Sequence, residues 1–138
     1  MKRLSILLVD DDPADVAILS DYLDDAPFEH DLDVAEDGEA GLARVRVARP
    51  DLVLLDLNMP RMGGLEMLEA LRADAELKDL PVIVLTTSDQ DQDIEDTFMA
   101  RANSFVTKPH DEAGFAHLMA LIDDFAHAYI WKTPKEQP

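Results

Sequence analysis

The chain has no cysteine. A disulfide framework, a Cys-ligated zinc or iron–sulfur centre and a thiol nucleophile are therefore excluded, and the absence fits a reducing, cytoplasmic setting. Positive charge is scarce: 12 Lys and Arg stand against 30 Asp and Glu, a formal net charge of −18. A surface this acidic repels phosphate backbones and anionic headgroups, so neither nucleic acid nor a membrane is expected as a partner. Long apolar runs are missing too, and none approaches the ~18 residues of a membrane span. Aromatic residues make up only 6%. Acidic chains poor in aromatics can be disordered, but a hydrophobic share of 47% argues for a packed core. No internal linker, repeat or low-complexity tract divides the 138 residues, a length that suits one domain burying roughly two thirds of its unfolded surface. We expect that domain over residues 4–131, a flexible tail over 132–138, and no output domain. Met1-Lys2-Arg3 leads straight into an apolar run without a small-residue cleavage site, which reads as a first strand and not as a signal peptide.

Four short apolar runs are present: Leu4 to Val9, Leu52 to Leu55, Val82 to Leu85, and the weaker Phe105-Val106. Unbroken hydrophobicity over so few residues is the pattern of parallel strands covered on both faces. Leu32 and Val34 alternate with Asp31 and Asp33, which suits an edge strand. Between the runs the apolar spacing is helical. Val16, Leu19 and Leu23 share one face after Asp12-Pro13, an N-cap followed by proline at the first helical position. Glu39 to Ala48, Leu65 to Leu71 and the pair Ile94/Phe98 mark three more helices. The last is the most regular, with Phe115, Leu118, Met119, Ile122, Phe125, Ala126 and Tyr129 in one stripe. Strands alternating with helices imply right-handed crossovers and an α/β, doubly wound (βα)5 sheet.

In such a sheet ligands bind beyond the carboxyl ends of the strands. The residues there are Asp10, Asp11 and Asp12 after the first run, Asp56 after the third strand, Thr86, Thr87 and Ser88 after the fourth, and Lys108-Pro109 after the fifth. Clustered carboxylates raise one another's pKa unless a cation neutralises them, and an oxygen-only cluster open to water suits Mg²⁺, with Mn²⁺ a substitute. An Asp beside a divalent cation, a lysine and a hydroxyl is the set that phosphoryl transfer to a carboxylate requires.

At this point the sequence resembles the CheY-like receiver domain of two-component response regulators, from Leu4 to about Ile130. The resemblance rests on Leu7-Leu8-Val9-Asp10-Asp11-Asp12-Pro13, on Asp51 to Pro60 with Met62 and Gly64, on Pro81 to Thr86, and on Ala102-Asn103-Ser104-Phe105-Val106-Thr107-Lys108-Pro109. It implies a flavodoxin-like strand order 2-1-3-4-5 and a protein that assists its own phosphorylation and dephosphorylation but is not otherwise an enzyme. By position, Asp56 matches the phosphoacceptor; Asp11 and Asp56 match direct Mg²⁺ ligands, Asp10 an acid acting through water, and Asn58 a backbone-carbonyl ligand. Thr86 matches the switch hydroxyl, Lys108 the salt-bridge lysine and Phe105 the aromatic switch residue. Asn58 and Ser88 match positions that tune the phosphoryl lifetime. Two departures stand out: Met62-Gly63-Gly64 replaces Met-Asp-Gly, and Phe105 stands where tyrosine is common. The Asp-Asp-Asp-Pro-Ala-Asp opening, Leu85-Thr86-Thr87-Ser88, Ala102 to Phe105 and the long final helix look most like stand-alone regulators paired with bacterial phytochrome histidine kinases. That likeness implies a light-regulated kinase as donor and a homodimer.

Other readings compete. Asp12 is more simply a helix cap than a ligand. Asp10 and Asp12 also satisfy the Asp-x-Asp of haloacid-dehalogenase-like phosphohydrolases, as nucleophile and general acid, although the chain is short and Pro13 follows. A phosphorylation-independent adaptor is a third class. The four histidines show no ligand-like pairing. If the last helix runs from Glu112 to Trp131 it spans about 30 Å, and Phe125, Tyr129, Ile130 and Trp131 become candidates for a dimer interface; the alternative is that this end folds back on its own domain.

Overall fold

The structure, a computed structural model, describes residues 3–57, 59, 62–87 and 91–131. Five strands and five helices alternate: β1 (Arg3–Val9), α1 (Pro13–Asp24), β2 (Glu29–Ala35), α2 (Gly38–Val47), β3 (Leu52–Asp56), α3 (Gly64–Ala73), β4 (Val82–Thr86), α4 (Asp91–Met99), β5 (Ser104–Thr107) and α5 (Glu112–Phe125). A π-helical turn, Ala126–Ile130, extends α5. All strand pairs are parallel and the order is β2-β1-β3-β4-β5, as expected from the resemblance.

The unbroken apolar runs divide by parity. Leu4, Ile6, Leu8, Leu52, Leu54, Ile83 and Leu85 face one side, where Leu19 and Leu23 of α1 and Leu118, Met119 and Ile122 of α5 cover them. Leu7, Val9, Val53, Leu55, Val82 and Val84 face the other, against Leu42 and Val45 of α2 and Met67, Leu68 and Leu71 of α3. Successive side chains of a strand point to opposite faces, so a strand covered twice needs apolar residues at every position. β2 lies at an edge, as its alternation suggests, with Asp31 and Asp33 exposed and paired to Arg3 and Arg44.

Helix starts follow the capping chemistry. The Asp12 side chain accepts from the Ala14 amide at 2.9 Å with Pro13 at the first helical position; Asp37 and Asp111 cap α2 and α5 in the same way. α4 differs from the others. Its pair Ile94 and Phe98 lies on the solvent side, Phe98 being 79% exposed, and Thr97 is the residue it buries.

The end of the chain's last helix also differs from a straight continuation. The π-turn closes with the Trp131 amide donating to the Ala126 carbonyl at 2.8 Å, and the wider turn changes the direction in which the last side chains point. Ile130 and Trp131 lie against the α1/α5 face of the core, and Trp131 meets His127 edge to face at 5.1 Å. Of the two readings left open for this end, Ile130 and Trp131 follow the one that folds back on the domain, while Tyr129 is largely exposed, leaning on Phe125 at 4.9 Å. The tail 132–138 lies outside the described residues.

Candidate functional site

Because β1 is followed in space by β2 on one side and by β3 on the other, their two connections diverge and leave a crevice at the carboxyl ends. Asp10 and Asp56 stand at this point, 5% and 6% exposed. The Asp10 amide donates to the Ala35 carbonyl at 3.0 Å, tying the strand end to β2. Its carboxylate accepts from the Asp12 amide at 2.9 Å, which bends the chain into α1 and leaves Asp11 exposed at the rim. Asp56 ends β3, and α3 begins directly over it. A Cβ at Gly64 would lie 2.1 Å from the Asp56 carbonyl oxygen, so only glycine permits this approach. The Gly64 amide donates to the Leu57 carbonyl at 3.1 Å, which fixes the start of α3 against the end of β3.

Lys108 reaches in from the end of β5. Its Nζ donates to Asp15 at 2.8 Å, Asp10 at 3.0 Å and Asp56 at 3.3 Å. Burial alone would push this ammonium's pKa down. The hydrogen bonds it donates to Asp15 and Asp10, with the charge of Asp56, outweigh burial and hold it well above lysine's ordinary value. A pKa raised on folding stabilises the native state fully below lysine's ordinary value of about 10.5, and that contribution is lost only as pH climbs through the raised one; Lys108 is a fixed positive charge at neutral pH. Its own backbone is anchored by a bond from its amide to the Thr86 carbonyl at 2.8 Å.

Thr86 is fully buried at the end of β4, and Thr87 beside it is exposed. Phe105 is half-buried on the α2/α3 face of the sheet. Asn58 and Ser88 lie outside the described residues. Asp15 is the participant missed by sequence reasoning. It sits one turn into α1, and the Asp-Pro-Ala-Asp spacing was the available signal: a helix started at Pro13 returns its third residue to the side of the cap.

The carboxylates of Asp10, Asp11 and Asp56 bring one oxygen each within 4.8 Å of one another. Two are buried and the third is at the rim, a hard oxygen donor set with room for retained water, and this fits Mg²⁺ or Mn²⁺. Asp12, by contrast, spends its side chain on the helix cap and does not join the group, which weighs against a phosphohydrolase using Asp10 and Asp12.

Comparison with known proteins agrees with this geometry. The family model for the response regulator receiver domain matches residues 6–120. Response regulator Rcp1 of Synechocystis sp. is 32% identical over 127 residues, 87% of this chain and 86% of that protein. Among solved structures, the phosphorylated cyanobacterial phytochrome response regulator RcpA superposes with a TM-score of 0.82 at 31% identity, over 90% of this chain and 94% of that one. The Mn²⁺-bound form of Rcp1 gives 0.80 at 30% identity, over 94% and 97%. With five parallel strands in the order 2-1-3-4-5 and an acid cluster answered by one lysine, the chain belongs to the response regulator receiver domains, signalling modules of two-component systems whose partners are histidine kinases.

Proposed function

We propose that Asp56 is the phosphoacceptor and that this chain is a stand-alone regulator, one domain over 4–131 with a tail over 132–138. The observation that carries the reading is the contact of Lys108 Nζ with both Asp10 and Asp56 beside a three-carboxylate cation site. A carboxylate oxygen of Asp56 attacks the phosphorus of a phosphohistidine, the P–N bond breaks, and the imidazole leaves with its electron pair. Asp11, Asp56 and the Asn58 carbonyl would hold Mg²⁺, with Asp10 acting through water; the cation supplies charge neutralisation on the phosphoryl oxygens. Lys108 supplies a second positive charge, and the Thr86 hydroxyl closes on the phosphoryl group. Phe105 follows Thr86 inward, and Asn58 and Ser88 tune how long the group survives.

The kinship to Rcp1 and RcpA supports a phytochrome-type histidine kinase as donor. Output is a change in protein contacts, with no role for nucleic acid or membrane, in the cytoplasm. The exposed Phe98 and Met99 of α4 give such a surface apolar area to bind with. Phe125, Tyr129, Ile130 and Trp131 form the candidate homodimer surface. Tyr129, 73% exposed, is its apolar centre, while Ile130 and Trp131 contribute edges already half-buried.

The reading is tested by exposing the Mg²⁺-loaded protein to labelled acetyl phosphate and to phosphorylated phytochrome-type kinases. Label that is cleaved by alkali and by hydroxylamine, as an acyl phosphate is, and that fails to appear in EDTA or in Asp56→Asn is expected. Label retained by Asp56→Asn, or phosphate-ester turnover requiring Asp10 but not Asp56, would overturn it.

A further inference from the structure

The other end of the sheet holds a second concentration of charge, of opposite sign. Arg72 of α3, Lys78 of the α3–β4 connection, and Arg101 and Asn103 of the α4–β5 connection line a cavity of about 230 Å³, with Asp79 its acidic member. In a chain with 30 acids to 12 cations, carboxylate partners are abundant, and Arg3, Arg44 and Lys108 have them. Among the described residues, no carboxylate lies within 4.0 Å of Arg72, Lys78 or Arg101.

Arg72 is spent on neutral acceptors. It donates through Nε to the Arg101 carbonyl at 3.0 Å, through Nη1 to the carbonyls of Lys78 and Leu80 at 3.0 and 2.8 Å, and through Nη2 to Asn103 Oδ1 at 3.2 Å. Four bonds to uncharged oxygens fix the guanidinium and leave its charge in place. Burial, and then the like charge of Arg101, push its pKa down, with Asp79 opposing them; two guanidiniums are being held together at a cost.

The backbone supplies an independent observation. α4 ends in a Schellman turn, with the Ala102 amide bonded to the Thr97 carbonyl and the Arg101 amide to the Phe98 carbonyl. The residue in the left-handed position of such a turn is ordinarily glycine, because only glycine escapes the Cβ clash there. Here it is Arg101, at φ 65°, the only non-glycine residue with positive φ among the described residues. Strain that glycine would relieve is being accepted, and what it brings is a third cation at the mouth of the cavity. The Arg101 side chain makes one weak bond among the described residues, from Nη2 to the Arg72 carbonyl at 3.4 Å, so its remaining donors have no partner there.

We propose that the pocket formed by Arg72, Lys78, Arg101 and Asn103 binds a small phosphate-type oxyanion, free or as the terminal group of a phosphorylated metabolite. The remaining Arg72 Nη2 donor, the Arg101 fork and the Lys78 ammonium line one cavity and are the charged donors that recognise the oxygens of such a group. The chain's overall negative charge opposes approach from a distance, but at physiological salt it is screened beyond about 8 Å, and the three cations govern the last few ångströms.

The test uses Mg²⁺-free full-length protein in phosphate-free buffer. Inorganic phosphate, ADP and chloride at matched ionic strength are titrated while the Arg72 and Arg101 Nε–H signals and the Asn103 side-chain amide are followed by NMR. Saturable shifts with phosphate and not with chloride are expected; a lower saturating concentration for ADP assigns the group to a metabolite, and an equal or higher one to free phosphate. Arg101→Gly should melt at or above the wild-type temperature, since it relieves the turn, while the midpoint for phosphate rises about tenfold or more, as expected for losing charged hydrogen bonds. Shifts that chloride reproduces, shifts confined to Lys108 and its neighbours, or undiminished phosphate binding by Arg101→Gly would each overturn the proposal.

Discussion

Three carboxylates hold one ammonium beyond the carboxyl ends of β1, β3 and β5, with the fourth acid, Asp11, at the rim, whereas three cations and one carboxylate share a pocket before β4 and β5. Both clusters hold like charges together, and the fold manages them differently. At the acid end Lys108 is an internal counterion whose three bonds run to charged partners, so the cluster can exist without a ligand and rearrange around one. At the cation end Arg72 is fixed by carbonyls and an amide, which orient the charge without neutralising it. The first arrangement suits a switch, the second a static site.

This contrast can be broken most forcefully at Lys108. Replacing it in Lys108→Met leaves Asp10, Asp15 and Asp56 without their cation, and in Mg²⁺-free buffer we expect a loss of about 3 kcal/mol, the scale for stranding one side of a buried ion pair. Urea unfolding with and without Mg²⁺ measures it, and Mg²⁺ should return part of the loss. The cation end is probed by Asn103→Ala. Asn103 Oδ1 accepts from the Val82 amide at 2.8 Å as well as from Arg72, so its removal strands a donor at the start of β4 and should cost about 2 kcal/mol. Hydrogen exchange at Val82 should rise accordingly, and Mg²⁺ should not compensate. The smallest effect is expected for Asp11→Asn. Asp11 is exposed and adds to the crowding of carboxylates, so its neutralisation should stabilise the Mg²⁺-free fold by about 0.5 kcal/mol while weakening Mg²⁺ binding measured by calorimetry. A destabilised Asp11→Asn would show that repulsion is not what the acid end is managing.

The two ends also differ in how far the sequence discloses them. Asp10, Asp56, Thr86 and Lys108 each follow or end an apolar run, and the topology of an α/β sheet brings such positions together, so their chemistry is readable before any coordinates. Arg72, Lys78 and Arg101 lie on a helix and two connections with no shared spacing, and they meet because the α3–β4 and α4–β5 connections are clamped by one guanidinium. Nothing in the sequence marks Arg101 as a left-handed residue, since the usual signal is glycine. The solvent side of α4 was hidden for a related reason: Ile94 and Phe98 have core-like spacing, and only the packing shows that the buried position is Thr97. The turn at Ala126 is a third case. A stripe continuing to Tyr129 reads as a straight helix, and a single wider turn is enough to return Ile130 and Trp131 to the domain.

The central claim, that phosphoryl transfer ends on Asp56 with Lys108 and the acid cluster serving it, is tested most directly by locating the modification. Protein phosphorylated in the presence of Mg²⁺ is reduced with borohydride, which converts an acyl phosphate to homoserine, and its peptides are sequenced by mass spectrometry. Homoserine at position 56 and at no other aspartate is the predicted result. Homoserine at position 10 would place the nucleophile on β1 and contradict the assignment.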